Sequence, residues 1–169
     1  GVQTCALPIF LIVSDAWFPQ VNGVVRTLSV VADKLRAMGD TVEVIGPDRF
    51  RSMPTPGYVE IRLAIAPKRK LAHLVAEFRP EIIHIATEGP LGWAMRGLCR
   101  RNRWPFTTAF HTRFPEYLEA RTGIPADWSW RVMRRFHEAG DGTFAATASL
   151  RQELTRRGFT TLRPWTRGV

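Results

Sequence analysis

The sequence predicts an α/β fold with a doubly wound, mostly parallel sheet, and three observations carry that reading. Short apolar runs alternate with amphipathic stretches of helical period along nearly the whole chain, the order that parallel sheets with crossover helices produce. The first run, Ile9–Val13, is apolar throughout, as a strand covered on both faces requires. It leads into a helix through a polar loop bearing Asn22-Gly23, an arrangement that turns free backbone N–H groups toward an anion.

The elements follow in order. A helix is expected over residues 24–38, where Val24, Leu28, Val31, Leu35 and Met38 recur at three- and four-residue spacing, with Gly39 as its C-terminal cap. Thr41–Ile45 is a β-branched second strand stopped by Gly46-Pro47. Residues 49–58, with Pro54, Pro56 and Gly57, read as an exposed loop, and 59–63 as a third, weaker strand. Lys68–Phe78 has helical period through Leu71, Leu74, Val75 and Phe78 before Pro80. Residues 81–86, holding Ile82, Ile83 and Ile85, form the clearest strand, followed by a helix over 91–101 introduced by Gly89-Pro90. A fifth strand is expected at 106–110, mixed loop and short helix at 115–127, and a longer helix at 128–139. The chain then reads as a short strand (143–146), a helix (149–157) with a Ser149/Gln152 capping box, and an edge strand (161–163).

The length suits one domain with a sizeable core, and no apolar run reaches the roughly 18 residues of a membrane-spanning helix. The formal net charge is +9, and all but three of the 24 basic residues are Arg. Such a surface suits nucleic acid, anionic lipid or phosphorylated substrates; a coding bias with a missing acidic partner domain explains it equally well. Cys5 and Cys99 have no metal-ligand spacing and point to a reducing cytoplasm. Residues 1–9 read as the translation of a sequencing adaptor, a non-native segment ahead of a domain at 10–163.

Ligands of doubly wound sheets collect outside the C-terminal ends of the strands, so the loops at 15–23, 87–90 and 111–117 matter most. The first lacks G-x-G-x-x-G, since Gly23 is the only glycine between Val13 and Gly39, and no G-K-[ST] loop occurs. Asn22-Gly23 can meet an anion or can simply cap the helix. His111, at the end of the fifth strand, can donate to a sugar hydroxyl or a leaving phosphate, or serve as a structural residue. Arg113 adds a fixed positive charge. Glu88 can accept from a polyhydroxyl ligand or answer the helix dipole. His84 reads as a satisfied core residue, and His73 and His137, inside helices, carry no signal. Asp-x-Asp, zinc-ligand and G-x-S-x-G patterns are absent from the sequence.

Four segments, DAWFPQVNGVVRTL (15–28), TEGPLG (87–92), FHTRFPEY (110–117) and ATASLRQELTRRG (146–158), together resemble the N-terminal domain of retaining glycosyltransferase family 4. The resemblance runs from about Phe10 to the chain end and looks closest to bacterial members that glycosylate lipids, such as mannosyltransferases and glycolipid synthases. It implies a GT-B fold, two Rossmann-like domains facing across a cleft, of which this chain is one half. By resemblance, Asn22 and Gly23 match the loop that approaches the donor diphosphate, with Asn where the usual first Gly stands. His111 matches a histidine that contacts the donor sugar near the reacting centre, and Asp15, Glu88 and Arg113 are acceptor-side contacts. The implied reaction transfers a hexose from a nucleoside-diphosphate sugar to a lipid or sugar acceptor, with retention and with no metal or other cofactor. Residues 164–169 resemble the start of the linker to a missing C-terminal domain, so this fragment alone is expected to be inactive. Peripheral contact with anionic lipid at the inner face of the cell membrane is expected, and nucleic acid is not. A stand-alone anion- or nucleic-acid-binding α/β domain and half of a GT-B-type nucleotide-sugar epimerase are the alternatives.

Overall fold

The computed structural model describes residues 8–55, 58–111, 123 and 125–165. Among these the elements are β1 (Ile9–Val13), α1 (Gly23–Ala37), β2 (Thr41–Ile45), a 3-10 turn (Pro47–Arg49), β3 (Ser52–Thr55), β4 (Tyr58–Ala64) and α2 (Lys68–Phe78). There follow β5 (Ile82–Ile85), α3 (Pro90–Asn102), β6 (Thr107–Phe110), α4 (Ala126–His137), β7 (Gly142–Ala145), α5 (Ala148–Arg156) and β8 (Leu162–Pro164). Six strands form one parallel sheet in the order β2-β1-β5-β6-β7-β8. The doubly wound α/β architecture expected from the sequence is therefore present.

Period two along β1 divides the core. Leu11 and Val13 face a cluster with Ile45, Leu71, Val75, Ile83, Ile85, Leu91 and Met95, which seats α2 and α3. Ile12 faces the other way, against Leu28 and Ala32 of α1 and Val42 and Val44 of β2. A third cluster packs α4 and α5 on β6 and β7 through Phe110, Trp130, Met133, Ala145, Leu154 and Phe159. Every strand of the large sheet points its C-terminal end to the same edge, which gathers the loops after β1, β5 and β6 there.

Two expectations need correction. Residues 49–58 are not simply a loop: Ser52–Thr55 pairs antiparallel with β4 as a separate two-stranded sheet. The weak strand expected at 59–63 is thus β4 of that hairpin and lies outside the parallel sheet. Pro54 sits opposite Arg62 and is tolerated because a two-stranded sheet has only edge strands. The Arg62 guanidinium closes the pair by donating to Ser52 Oγ at 2.8 Å and the Ser52 carbonyl at 2.9 Å. The Ser149/Gln152 capping box is also not formed. Thr147 caps α5, its Oγ1 accepting from Leu150 N–H at 3.2 Å, so the helix starts one residue earlier than read.

Candidate active site

The chain leaves β1 toward β2 on one side, while β5 and β6 lie on the other. The loops after β1 and β5 consequently part at the topological switch point, where doubly wound sheets form their ligand crevice. The end of β6 is the next position along this edge, about 10 Å from β1 at two strand spacings.

The β1–α1 loop is built around its own polar groups. Ser14 Oγ donates to the Ala16 carbonyl at 2.7 Å, and buried Gln20 donates through Nε2 to the Asp15 carbonyl at 3.1 Å. Asn22 caps α1: its Oδ1 accepts from the Val24 and Val25 N–H groups, both at 3.0 Å. This satisfies two donors that the sequence alone left open to an anion. An added Cβ at Gly23 would meet nothing within 4 Å, so that backbone lies open to solvent. Beside it the loop exposes two apolar side chains, Phe18 at 51% and Val21 at 97%.

Asp15 ties the two lips of the crevice together. Its Oδ1 accepts from Leu91 N–H at 2.8 Å and its Oδ2 from Gly92 N–H at 3.2 Å, capping α3 from another element. The Thr87 hydroxyl donates to Oδ2 at 3.0 Å, and the Asp15 N–H returns a bond to the same hydroxyl at 2.6 Å. Burial raises the Asp15 pKa above the ordinary aspartate value, and the Glu88 carboxylate adds to the rise. The Leu91 and Gly92 amides and the Thr87 hydroxyl pull the other way. Two glycines permit this approach: a Cβ at Gly89 would stand 2.4 Å from Asp15 Cγ, and one at Gly92 would stand 1.9 Å from the Thr87 carbonyl oxygen.

Glu88, the next residue of the β5–α3 loop, meets a partner that sequence reading passed over. Its Oε1 lies 3.0 Å from Nε2 of His137, the fully buried last residue of α4. His137 Nδ1 lies 2.8 Å from Thr108 Oγ1 on β6, which lies 3.1 Å from Thr143 Oγ1 on β7. A polar line thus runs from the sheet interior to the switch point. The signal was there in part: Trp130, Met133 and His137 recur along one helix face, which placed an imidazole among core residues where it needs partners.

His111 follows β6 directly and helps line a recess with Phe110, Phe144, Ala146 and Trp165. Its ring stands edge-on to Trp165 at 5.5 Å between centroids. His84, on β5, contacts the same Trp165 ring at 5.6 Å and bonds through Nδ1 to Thr107 Oγ1 at 2.9 Å. Its buried Nε2 has no hydrogen-bond partner among the described residues, so the expectation of a satisfied core histidine holds for one nitrogen only. Burial, reinforced by nearby His111, lowers the His84 pKa to about 3 and keeps that ring neutral. Arg113 and Cys5 lie outside the described residues. Cys99 is a buried thiol pushed up to about 12 by desolvation.

Residues 21–169 match the family model described as Glycosyltransferase Family 4. The chain belongs to glycosyltransferase family 4. Among relatives, it is 28% identical over 181 residues to a sulfoquinovosyl transferase of Arabidopsis thaliana, covering 95% of this chain and 35% of that protein. It is 27% identical over 180 residues to a GDP-mannose-dependent alpha-mannosyltransferase of Mycobacterium tuberculosis, covering 94% of this chain and 47% of the relative. An alpha-monoglucosyldiacylglycerol synthase of Acholeplasma laidlawii matches at 28% over 121 residues, 63% of this chain and 30% of that protein. The chain therefore spans about a third to a half of the length of these curated family 4 relatives. Among the described residues, no helix is long and apolar enough to cross a membrane.

Proposed function

We propose that this chain forms one half of the cleft of a retaining, GT-B-type glycosyltransferase. The whole enzyme transfers a hexose from a nucleoside-diphosphate sugar to a hydroxyl of a lipid or sugar acceptor. The single observation that carries the reading is the convergence of the Asn22-Gly23 helix start, Glu88 and His111 on neighbouring loops at the C-terminal edge of a family 4 sheet.

The chemistry follows from that edge. Departure of a nucleoside diphosphate from the anomeric carbon develops negative charge on the leaving oxygen. The open Gly23 backbone and the positive end of α1 face such charge favourably, and Asn22 keeps that helix terminus ordered. His111 is the group of this half that contacts the donor sugar near the reacting carbon. Glu88 accepts from an acceptor hydroxyl. Asp15, which the resemblance implies is an acceptor-side contact, is buried with its carboxylate taken by Thr87, Leu91 and Gly92, so it serves the acceptor side indirectly by holding the β5–α3 loop. No metal enters the reading: among the described residues, the two carboxylates at the crevice have protein partners, Asp15 on α3 and Thr87 and Glu88 on His137. Arg113 is kept as an acceptor-side group on the resemblance alone.

A lipid acceptor is favoured over a free sugar by Phe18 and Val21, which form an apolar rim beside the crevice. With the +9 charge, this also supports peripheral docking on an anionic leaflet. The test is transfer from radiolabelled GDP-mannose and UDP-glucose to vesicle lipid by the protein encoded by the complete gene. The purified 169-residue chain is expected to transfer nothing, and measurable turnover by it would overturn the half-cleft reading.

A further inference from the structure

We propose that His137 is a positioning residue: it fixes one oxygen of Glu88 at the switch point and leaves the other to accept the hydroxyl of the acceptor substrate. The ligand in this proposal rests on the transferase reading; the link between the two side chains does not.

The geometry is specific to that task. Glu88 belongs to a loop between β5 and α3, and the hydrogen bond described for its side chain is the one to His137. The imidazole itself has little freedom. Rings of Phe136, Phe110 and Phe159 surround it at centroid distances of 5.1, 5.6 and 5.9 Å, and Thr108 Oγ1 holds Nδ1. The helix end that carries it is clamped as well. Buried Arg96 of α3 donates through Nε to the Phe136 carbonyl at 3.1 Å and through Nη2 to the Arg135 carbonyl at 2.7 Å. A carboxylate oxygen accepts, so Nε2 carries the proton shared with Glu88 whichever way the Thr108 hydroxyl points. An apolar residue of similar volume would fill this aromatic cage without needing two hydrogen bonds. The imidazole adds a rigid N–H directed from the core to a side chain that is 19% exposed at the strand ends. Outer partners that orient metal-ligating side chains are worth about 10- to 100-fold in function, and the same order is expected for a substrate-contacting carboxylate held in this way.

The test uses two isosteric variants. H137Q keeps an N–H donor at the position of Nε2, whereas H137N keeps polar atoms only near Nδ1. In the 169-residue chain, ring-nitrogen NMR of the wild type is expected to show a protonated, hydrogen-bonded Nε2 whose signal moves in E88A. The latter variant changes a side chain of the loop and none of the core, although it leaves the buried Nε2 without its acceptor. The Glu88 carboxyl carbon signal is expected to move in H137N and to stay near its wild-type position in H137Q. An unprotonated Nε2, or a Glu88 signal indifferent to both His137 variants, would overturn the proposal.

In the full-length protein, with GDP-mannose or UDP-glucose and diacylglycerol vesicles, H137N should raise the acceptor KM about tenfold or more. Donor KM should stay unchanged, and H137Q should restore acceptor use. Losses that track thermal stability in both variants, with no acceptor effect, would reduce His137 to a structural role and refute the positioning claim. If the NMR link is present but the wild-type protein transfers no sugar, the transferase reading fails and the link stands. If sugar is transferred and the link is absent, the positioning proposal fails and the transferase reading stands.

Discussion

Replacing Asp15 by Ala should destabilise the fold far more than an ordinary loop substitution, and the structure gives the size. The change strips an acceptor from the buried Leu91 and Gly92 N–H groups and from the Thr87 hydroxyl. A buried donor left without an acceptor costs about 1–3 kcal/mol. The hydroxyl can rotate toward another acceptor, so two amides decide the outcome, about 2–6 kcal/mol in total. Removal of a carboxylate that burial already disfavours offsets part of this, leaving about 3 kcal/mol. D15N keeps one acceptor oxygen but turns an NH2 group toward a donor, so roughly half that loss is expected. The assay is urea unfolding followed by tryptophan fluorescence and far-UV circular dichroism, with the slope checked for constancy. Thermal midpoints should fall by about 6–12 °C for D15A. The pH dependence has a definite sign. A carboxyl whose pKa is raised by folding contributes stability in full below the unfolded value of 3.8, and that stability is lost as pH rises through the native value. Wild type should therefore weaken relative to D15N as pH rises out of the acid range. A D15A cost below about 0.5 kcal/mol, or a difference of opposite sign, would refute the cross-tie.

Other outcomes are equally definite. Gly92→Ala should be severely destabilising, by about 3 kcal/mol or more in urea titration, because its Cβ would stand 1.9 Å from the Thr87 carbonyl oxygen. Gly23→Ala meets open space and should leave stability unchanged or raise it by up to about 1 kcal/mol, while it slows transfer from the donor in the full-length enzyme. Equal donor kinetics in that variant would remove the Gly23 backbone from the donor site. Cys99 should react with a thiol reagent only on unfolding, since burial lifts its pKa to about 12; rapid labelling of the native chain would contradict its placement. Burial works to raise the Glu138 pKa, but bonds from Thr160 and Thr161 outweigh it and hold the value below 4.5. Its contribution is present above 4.5 and lost as pH falls through the native value, so E138Q should flatten the acid limb of the stability profile. Finally, vesicle binding should weaken as salt rises, and salt-independent binding would exclude electrostatic docking.

Local signals carried most of the fold. The β-branched run Thr41–Ile45 and the i, i+3, i+4 spacing through Leu71, Leu74 and Val75 delimit β2 and α2 as found, because period and punctuation are properties of the segment itself. Pro54, Pro56 and Gly57 obscured β3, whose pairing with β4 is decided across the hairpin rather than by local propensity. The site was less legible for the same reason. Asn22, Glu88 and His111 could be placed at strand ends by counting elements, and a helix-capping role for Asn22 was legible, but the distant partners of the other site residues were not. Asp15 reaches Leu91 across 76 residues, and His137 reaches Glu88 across 49. No periodicity encodes which buried donor a distant carboxylate will satisfy: helical period puts His137 on the buried face of α4 but does not say which side chain its ring will meet.

In the proposed function, His111 and its neighbouring loops form the sugar-transfer edge of a family 4 half-cleft. The decisive measurement is initial-rate transfer by the complete gene product, wild type beside His111→Ala, from radiolabelled GDP-mannose and UDP-glucose to diacylglycerol vesicles, with folding verified by circular dichroism. Transfer by the wild type that falls at least 100-fold in H111A, with unfolding midpoints unchanged, is the expected result. A folded wild-type protein that moves no sugar from either donor, or an H111A variant as active as the wild type, would contradict it.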